Sequence, residues 1–145
     1  MQKLSIGLLG LGQIGSGLYK ILSTKKRYFE DEVGLSYEIK KIAVRHRNKK
    51  RKVHVSRHLL TTNGLSIIKD PSIDIIIELI GGTTDALRFV KAALNEGKHV
   101  ITANKALLAE HGDELFELAG RRRCWRSRSN CLGTAGARRR IAQRA

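Results

Sequence analysis

The chain has 145 residues, of which 41% are hydrophobic and 28% charged, and its formal net charge is +15. This length corresponds to about one domain with a buried core, and no apolar stretch approaches the ~20 residues of a membrane-spanning helix. The first residues lack the pattern of a secretory leader, so a cytoplasmic location and no membrane partner are expected.

Two strands, separated by a glycine-rich turn and a helix, are predicted near the start of the chain. The apolar run Leu4–Leu9 is typical of a buried parallel strand. It enters a glycine-rich segment, Gly10–Gly17, after which apolar residues follow at the helical spacing of Leu18, Ile21 and Leu22. A second strand is predicted over Tyr37–Val44, and the basic, acid-free stretch 45–58 is interpreted as a surface loop.

A short helix, a buried strand and a longer helix are predicted next. Leu65–Lys69 is long enough for one or two helical turns, which end because Pro71 disfavours the helical conformation in the residue before it. Ile73–Ile80, rich in isoleucine, is typical of a buried strand. Thr83 or Thr84 is expected to cap a helix, whose apolar face comprises Ala86, Phe89, Val90, Ala93 and Leu94.

The last predicted elements complete an alternation of strands and helices. Gly97 is expected to end the helix, His99–Thr102 is predicted as a fourth strand, and Asn104 is expected to cap a final helix. The alternation predicts the α/β class, a Rossmann-type doubly wound parallel sheet over residues 1–120 that is incomplete at its C-terminal end. Self-association is expected through the edge strand that such a sheet exposes.

Three glycines, Gly10, Gly12 and Gly15, have the spacing GxGxxG between the first strand and the first helix. In that context Gly10 allows a tight turn, Gly12 lets the backbone approach a pyrophosphate, and Gly15 permits close packing of helix against strand. The first turn, with Gln13 and Ile14, then points its N–H groups at the phosphates. The pattern predicts dinucleotide binding, and the alternative is a glycine-rich turn without a ligand.

The residues after the second strand bear on the choice between NADP(H) and NAD(H). An acidic residue there binds the ribose 2′-hydroxyl, whereas an arginine accommodates a 2′-phosphate. The sequence places Arg45 at this point, with Arg47 and Lys49 as neighbours and no acid. NADP(H) is therefore expected to be preferred, with NAD(H) as the second cofactor. The alternatives are a solvated basic loop and a nucleic-acid or nuclear-import segment over 45–52.

Two further segments are predicted to reach the same edge of the sheet, because ligands of open parallel sheets lie beyond the carboxyl ends of the strands. Gly81 and Thr83 follow the third predicted strand and leave room for a flat ring or a ribose. Asn104 and Lys105 follow the fourth, where a lysine can position a substrate carbonyl or the nicotinamide carboxamide. The alternatives are a plain helix-entry turn and a solvated lysine. Glu78 lies within the apolar run, where an unpaired charge would be costly to bury, so it is expected to alternate outward and is assigned no role.

Taken together, these segments resemble homoserine dehydrogenase. The resemblance is carried by Ile6–Gly17, Ile42–Arg45, Asp74–Gly82 and Lys98–Gly112, of which the last two are specific to that family, and it covers residues 3–120. It implies an enzyme that interconverts homoserine and aspartate 4-semialdehyde with NAD(P)(H), in the biosynthesis of threonine, methionine and isoleucine. It also implies that Gly10–Gly15 grips the pyrophosphate, Arg45 the 2′-phosphate, and that Lys105 lies beside the nicotinamide.

The last segment, 121–145, departs from that resemblance. It holds nine arginines and no Lys, Asp or Glu, a charge of +9, whereas residues 1–120 have a net charge of +6 from 19 basic and 13 acidic side chains. The family continues instead into a substrate-binding, dimerising region that supplies the proton-donating lysine, the substrate-binding acids and a cation site. The tail is interpreted as an out-of-frame reading and is expected to be disordered; a natural basic tail is the alternative.

Three functional readings follow from these features. The resemblance implies a cofactor-binding half with no catalytic residues of its own. A small-molecule substrate is expected to bind only in an intact relative. A non-catalytic NADPH-binding module and a basic nucleic-acid-binding protein are the alternatives, although the scarcity of aromatic residues disfavours nucleic acid as a partner. No metal site is expected, since the histidines do not cluster with Cys124 or Cys131.

Overall fold

A computed structural model describes residues 3–121 of the chain, which form a five-stranded parallel sheet and its covering helices. The strands are β1 (Lys3–Leu9), β2 (Ser36–Ala43), β3 (Leu60–Thr61), β4 (Ile75–Glu78) and β5 (His99–Thr102). The helices are α1 (Gln13–Thr24), α2 (Lys26–Glu32), α3 (Gly64–Lys69), α4 (Thr84–Asn95) and α5 (Lys105–Arg121), with a short 3-10 turn over Arg57–Leu59.

The strand order is β3-β2-β1-β4-β5, and every neighbouring pair is parallel. This order matches the first five positions of the six-stranded Rossmann sheet, so the predicted fold class is confirmed. A sixth strand does not occur within residues 3–121. The order reverses between β1 and β4, and at such a switch point the connecting segments diverge and leave a crevice at the carboxyl ends of the strands.

Side chains alternate between two cores, one on each face of the sheet. On one face, Ile6 and Leu8 of β1 pack with Ile77 of β4 beneath α1 and α2. On the other face, Leu9 and Ile76 pack with residues of α3 and α4. A third cluster joins α4 to α5, with members Ala86, Val90, Leu94, Leu107 and Leu115. The apolar faces predicted for these two helices therefore contact each other as well as the sheet.

Several predicted element boundaries are confirmed by the structure. Gly97 has a φ of +72° directly after α4, as the predicted C-terminal stop requires. The side chain of Asn104 caps α5, since its Oδ1 accepts a hydrogen bond of 3.0 Å from the Leu107 N–H. Tyr37 ties β2 to α1 by donating to the Leu22 carbonyl at 2.7 Å, and burial raises the pKa of this phenol.

The sequence prediction is wrong in three details of the fold. It gives four strands, whereas the structure has a fifth, because the two residues of β3 extend the sheet beyond β2. It omits α2, whose seven residues are all at least partly exposed and so have no buried periodicity. Thr83 occupies the N-cap position of α4, but neither it nor any other side chain caps that helix by a hydrogen bond.

The predicted domain boundary at residue 120 falls in the last turn of α5, and the predictions made for the tail concern residues outside the described part of the chain. Within residues 3–121, no helix is long and apolar enough to cross a membrane.

Candidate functional site

The turn between β1 and α1 is closely packed at two of its three glycines. Gly10 has a φ of +102°, and a Cβ there would lie 2.7 Å from the Leu79 carbonyl oxygen. A Cβ on Gly15 would lie 2.4 Å from the Gly10 carbonyl oxygen, so the first turn of α1 packs directly onto the glycine turn. Side chains at either position would force the backbone apart. The sequence prediction of a tight turn at Gly10 and of close helix packing at Gly15 agrees with this geometry.

The middle glycine of the motif faces open space. A Cβ on Gly12 would meet no atom within 4 Å, and Gly12 is the N-cap residue of α1 without any side chain capping the helix. Gln13 and Ile14 follow in the exposed first turn, where Ile14 is 65% exposed despite being apolar. The first turn contains no acidic residue. Its N–H groups and the positive end of the helix dipole are therefore accessible to an anion.

The ends of β1, β2 and β4 are joined by backbone hydrogen bonds beside this turn. The Gly10 N–H donates to the Ala43 carbonyl at 2.9 Å, and the Leu79 N–H donates to the Leu9 carbonyl at 2.8 Å. These contacts bring the predicted residues of three separate strand ends to one edge of the sheet.

Basic side chains follow β2 at that edge. Arg45 is exposed, and the loop after it is organised by Arg51, whose guanidinium donates to the carbonyls of His46 at 2.6 Å and Lys49 at 2.9 Å. Arg47, predicted as a neighbour of the phosphate contact, donates to the Arg57 carbonyl at 3.2 Å. The loop is accordingly a surface loop, as predicted, and it leaves the Arg45 guanidinium exposed to solvent.

On the other side of the switch point, a buried carboxylate lies at the end of β4. Glu78 is fully buried, so the expectation that it alternates outward is wrong. Its Oε1 accepts from the Ile80 N–H at 2.6 Å, and its Oε2 accepts from the Thr102 hydroxyl at 2.5 Å. A parallel strand covered on both faces has no solvent side for an alternating polar residue. In the sequence, the position of this acidic residue inside an isoleucine-rich strand was the sign that it would be buried.

The remaining predicted site residues follow β4 and β5 on this side of the switch point. Gly81 and Gly82 are exposed, and Thr83 is half-buried at the start of α4. Asn104 donates from Nδ2 to the Gly82 carbonyl at 2.6 Å, which joins the turn after β4 to the start of α5. Lys105 is the exposed first residue of α5. The structure thus places all ten sequence-predicted residues along the carboxyl edge of the sheet, on both sides of the switch point.

The residues present fit a dinucleotide. A glycine turn that excludes side chains and an open helix N-terminus match the pyrophosphate contacts that such a ligand requires, and Arg45 follows β2, where a side chain contacts the ribose or its 2′-phosphate. Within residues 3–121, no group of three or more His, Cys, Asp or Glu side chains is arranged to hold a metal ion. The fold and this edge define a Rossmann-like dinucleotide-binding domain.

The comparison with family models identifies the particular kind of domain. Residues 10–125 match the model described as homoserine dehydrogenase, NAD binding domain. Because this match spans most of the chain, the chain belongs to that family, and the resemblance noted in the sequence is confirmed. The domain is a nicotinamide dinucleotide-binding domain.

Individual relatives agree with this assignment. The chain is 40% identical over 124 residues to a homoserine dehydrogenase of Bacillus subtilis, covering 86% of this chain and 29% of the relative. It is 39% identical over 109 residues to the homoserine dehydrogenase of Methylobacillus glycogenes, covering 75% of this chain and 26% of the relative. The chain therefore spans between a quarter and a third of the length of these curated relatives.

Solved structures show the same fold. A crystal structure of Staphylococcus aureus homoserine dehydrogenase at pH 7.0 has 43% identity and a TM-score of 0.78, covering 84% of this chain and 31% of that chain. A hyperthermophilic archaeal homoserine dehydrogenase in complex with NADPH has a TM-score of 0.64 over 83% of this chain and 42% of that chain, and at 22% identity it shows likeness of fold alone.

Proposed function

We propose that residues 3–121 form the cofactor-binding part of a homoserine dehydrogenase, which interconverts homoserine and aspartate 4-semialdehyde in the synthesis of threonine, methionine and isoleucine. NADP(H) is the preferred cofactor and NAD(H) the second. The observation that carries this preference is the exposed Arg45 after β2, in a loop that contains no acid. A cytoplasmic location follows from this metabolic role.

Each predicted residue has a role in holding the cofactor. Gly10, Gly12 and Gly15 shape the pyrophosphate turn, and the N–H groups of Gln13 and Ile14 belong to the accessible first turn of α1. On the far side of the switch point, the open backbone of Gly81, with Thr83, Asn104 and Lys105, borders the nicotinamide half.

The chemistry is divided between the cofactor and the protein. A bound nicotinamide cofactor supplies or accepts the hydride. The residues of this chain bind it, orient it and place the Lys105 ammonium at the nicotinamide end of the site. We assign substrate binding and proton donation to the region by which the curated relatives exceed this chain, and we assign no catalytic role to residues 3–121. Its partners are then the nucleotide and, through the edge of β5, a second copy of itself.

Calorimetric titration of the chain with NADPH and with NADH tests the cofactor preference. A charge-assisted contact to the 2′-phosphate contributes about 1.5–3 kcal/mol, so we expect NADPH to bind ~10- to 150-fold more tightly. Arg45→Ala should abolish most of this difference while leaving NADH affinity unchanged. Arg27→Ala, an exposed arginine on α2 before β2 begins, is the matched control and should change neither affinity. Equal affinities in the parent chain would refute the assignment to Arg45.

Nucleic-acid binding through the basic segments is the less favoured function, because family membership already accounts for the glycine turn and its surroundings. If it occurred, its affinity would fall steeply with salt, with a slope near −0.9 for each duplex phosphate contacted.

A further inference from the structure

The buried carboxylate at the end of β4 has no part in the contacts proposed so far. Glu78 has no solvent exposure, although a charged group is costly to bury unless hydrogen bonds compensate it. It lies at the carboxyl end of its strand, level with Thr102 in the parallel register of β4 and β5. A buried acidic residue at the edge where the ligand binds requires a physical reason.

The hydrogen bonds of Glu78 set the direction of a short chain of donors and acceptors. The Thr102 hydroxyl has a single proton, which it donates to Glu78 Oε2 at 2.5 Å. Its oxygen is then an acceptor, and it receives the Asn104 N–H at 3.0 Å. The carboxylate therefore fixes the orientation of the threonine hydroxyl, and the hydroxyl in turn fixes the backbone at the start of α5.

Asn104 extends this chain to the neighbouring turn. Its Oδ1 accepts the Leu107 N–H at 3.0 Å as the cap of α5, while its Nδ2 donates to the carbonyls of Gly82 at 2.6 Å and Ile80 at 3.4 Å. Gly82 has a φ of +80°, and a Cβ on either Gly81 or Gly82 would meet nothing within 4 Å. Neither glycine has a close neighbour at its Cβ position, so we expect the hydrogen bonds that Asn104 and Glu78 make to the backbone beside the pair to limit its conformation.

We propose that Glu78 is a positioning residue for the nicotinamide half of the site, acting through Thr102 and Asn104. It holds the turn 81–82 and the start of α5, with Lys105, as one rigid wall at the ends of β4 and β5. This role rests on the proposed function, because it requires that a dinucleotide cross the switch point. The adenine half lies on the other side, at the glycine turn and the end of β2, and the hydrogen bonds of Thr102 and Asn104 are made with β4, the turn 81–82 and α5 instead.

A comparison of two ligands separates positioning from general stability. NADPH occupies both halves of the site, whereas 2′,5′-ADP contains only the phosphorylated adenine half. Thr102→Val removes the hydroxyl and leaves one carboxylate oxygen and the Asn104 N–H without partners. We expect it to weaken NADPH binding ~10-fold, the size of a lost hydrogen bond to a charged group, and to leave 2′,5′-ADP binding within about twofold of the parent chain.

Three further variants of the full chain complete the calorimetric experiment. Thr102→Ser keeps the hydroxyl and should restore NADPH affinity to near the parent value. Glu78→Gln keeps the size of the side chain and one acceptor oxygen, and should weaken NADPH selectively; it carries the test if Thr102→Val does not fold. Lys98→Met removes a buried group that donates to the Asp70 and Ile73 carbonyls at the opposite edge, so it should leave the ratio of the two affinities unchanged.

The outcomes distinguish the two levels of the proposal. Selective loss of NADPH affinity in Thr102→Val, reversed in Thr102→Ser, supports the positioning role. Equal weakening of both ligands, or of neither, overturns it while leaving the proposed function intact. A parent chain that binds neither ligand overturns the proposed function, and the positioning role with it.

Discussion

The two sides of the switch point are built by different means. On the side that we assign to the adenine half of the cofactor (the adenine side), the glycine turn and the basic loop after β2 present backbone N–H groups and exposed cationic side chains. On the side that we assign to the nicotinamide half (the nicotinamide side), the turn after β4 and the start of α5 are held by the buried Glu78 carboxylate, the Thr102 hydroxyl and the Asn104 amide. In the proposed function, the first side binds its ligand through solvent-exposed groups, whereas the second is held in shape by buried hydrogen bonds.

This difference has an energetic consequence. Interactions between exposed charges are weakened by water and salt, and an exposed side chain can be exchanged without harm to the fold. A buried polar network is effective when fully satisfied and costly when one member is lost. Cofactor preference should therefore respond to single surface substitutions. On the nicotinamide side, few substitutions in the buried network should leave the fold of that side intact.

The largest expected effect concerns turnover, because the proposed function gives both sides of the switch point to the cofactor and neither to the substrate. We expect the 145-residue chain to bind NADPH but to show no measurable homoserine-dependent reduction of NADP⁺. Without general-acid help the rate falls ~10²- to 10⁴-fold, and without a substrate site it loses orientation worth up to ~7–11 kcal/mol. The measurement follows the absorbance of NADPH as it forms. A chain extended by the corresponding region of a relative is measured in the same way for comparison. Comparable turnover in the two would place catalysis within residues 1–145.

The next effect compares the two glycine turns. Gly15→Ala places a Cβ 2.4 Å from the Gly10 carbonyl oxygen, whereas Gly81→Ala meets nothing within 4 Å. We expect the first to lower the free energy of unfolding by about 1–3 kcal/mol and the second to change it by less than ~0.5 kcal/mol. Urea unfolding of both variants without ligand measures this. Equal losses would mean that the turn after β4 is as tightly packed as the turn after β1.

A smaller effect on cofactor preference is expected from substituting Arg51, which organises the basic loop after β2. Arg51→Ala removes the hydrogen bonds to the His46 and Lys49 carbonyls, so the loop that presents Arg45 loses its fixed form. The preference for NADPH over NADH should fall ~5-fold, equivalent to about 1 kcal/mol. Lys50→Ala removes a neighbouring exposed charge without these contacts and is the control. If both variants reduce the preference equally, charge alone and not loop geometry determines it.

The smallest effect is a difference in salt response. Screening shortens the reach of exposed charges from about 10 Å at 0.1 M salt to about 3 Å at 1 M. The NADPH preference should therefore decline by roughly two- to threefold over that range, while the effect of Thr102→Val on NADPH binding should stay constant. Titrations at the two salt concentrations check this. A preference that does not change with salt would indicate a buried contact to the 2′-phosphate.

The geometry of the glycine turn between β1 and α1 could be predicted from the sequence, because its features are local. Glycine spacing, the strand before it and the helix after it lie within about twenty residues. Asn104 was likewise predictable as a cap, since capping depends on neighbouring N–H groups.

The nicotinamide side was only partly predictable, because its contacts join residues about 24 positions apart. Alternation along Ile73–Ile80 suggested an outward Glu78, and only the pairing of β4 with β5 reveals its buried partner. The second role of Asn104, on the Gly82 carbonyl, has no local signal at all. The missed α2 and β3 share a different cause: one buries no residue and the other has only two residues, so neither gives a periodic pattern.

The hydrogen bond between Thr102 and Glu78 joins β5 to β4 at the carboxyl edge of the sheet. A separate set of hydrogen bonds joins the same β4-α4-β5 unit at the amino edge. At the amino edge the His99 N–H donates to the Asp74 carbonyl at 3.1 Å, and the Lys98 ammonium donates to the Ile73 carbonyl at 2.6 Å. A segment fastened at both ends opens as a cooperative block rather than by fraying. Amide hydrogen exchange across β4, α4 and β5 should accordingly report one common free energy of opening, with far stronger protection than in the loop 45–56, and ligand binding should slow exchange in the loop more than in the block.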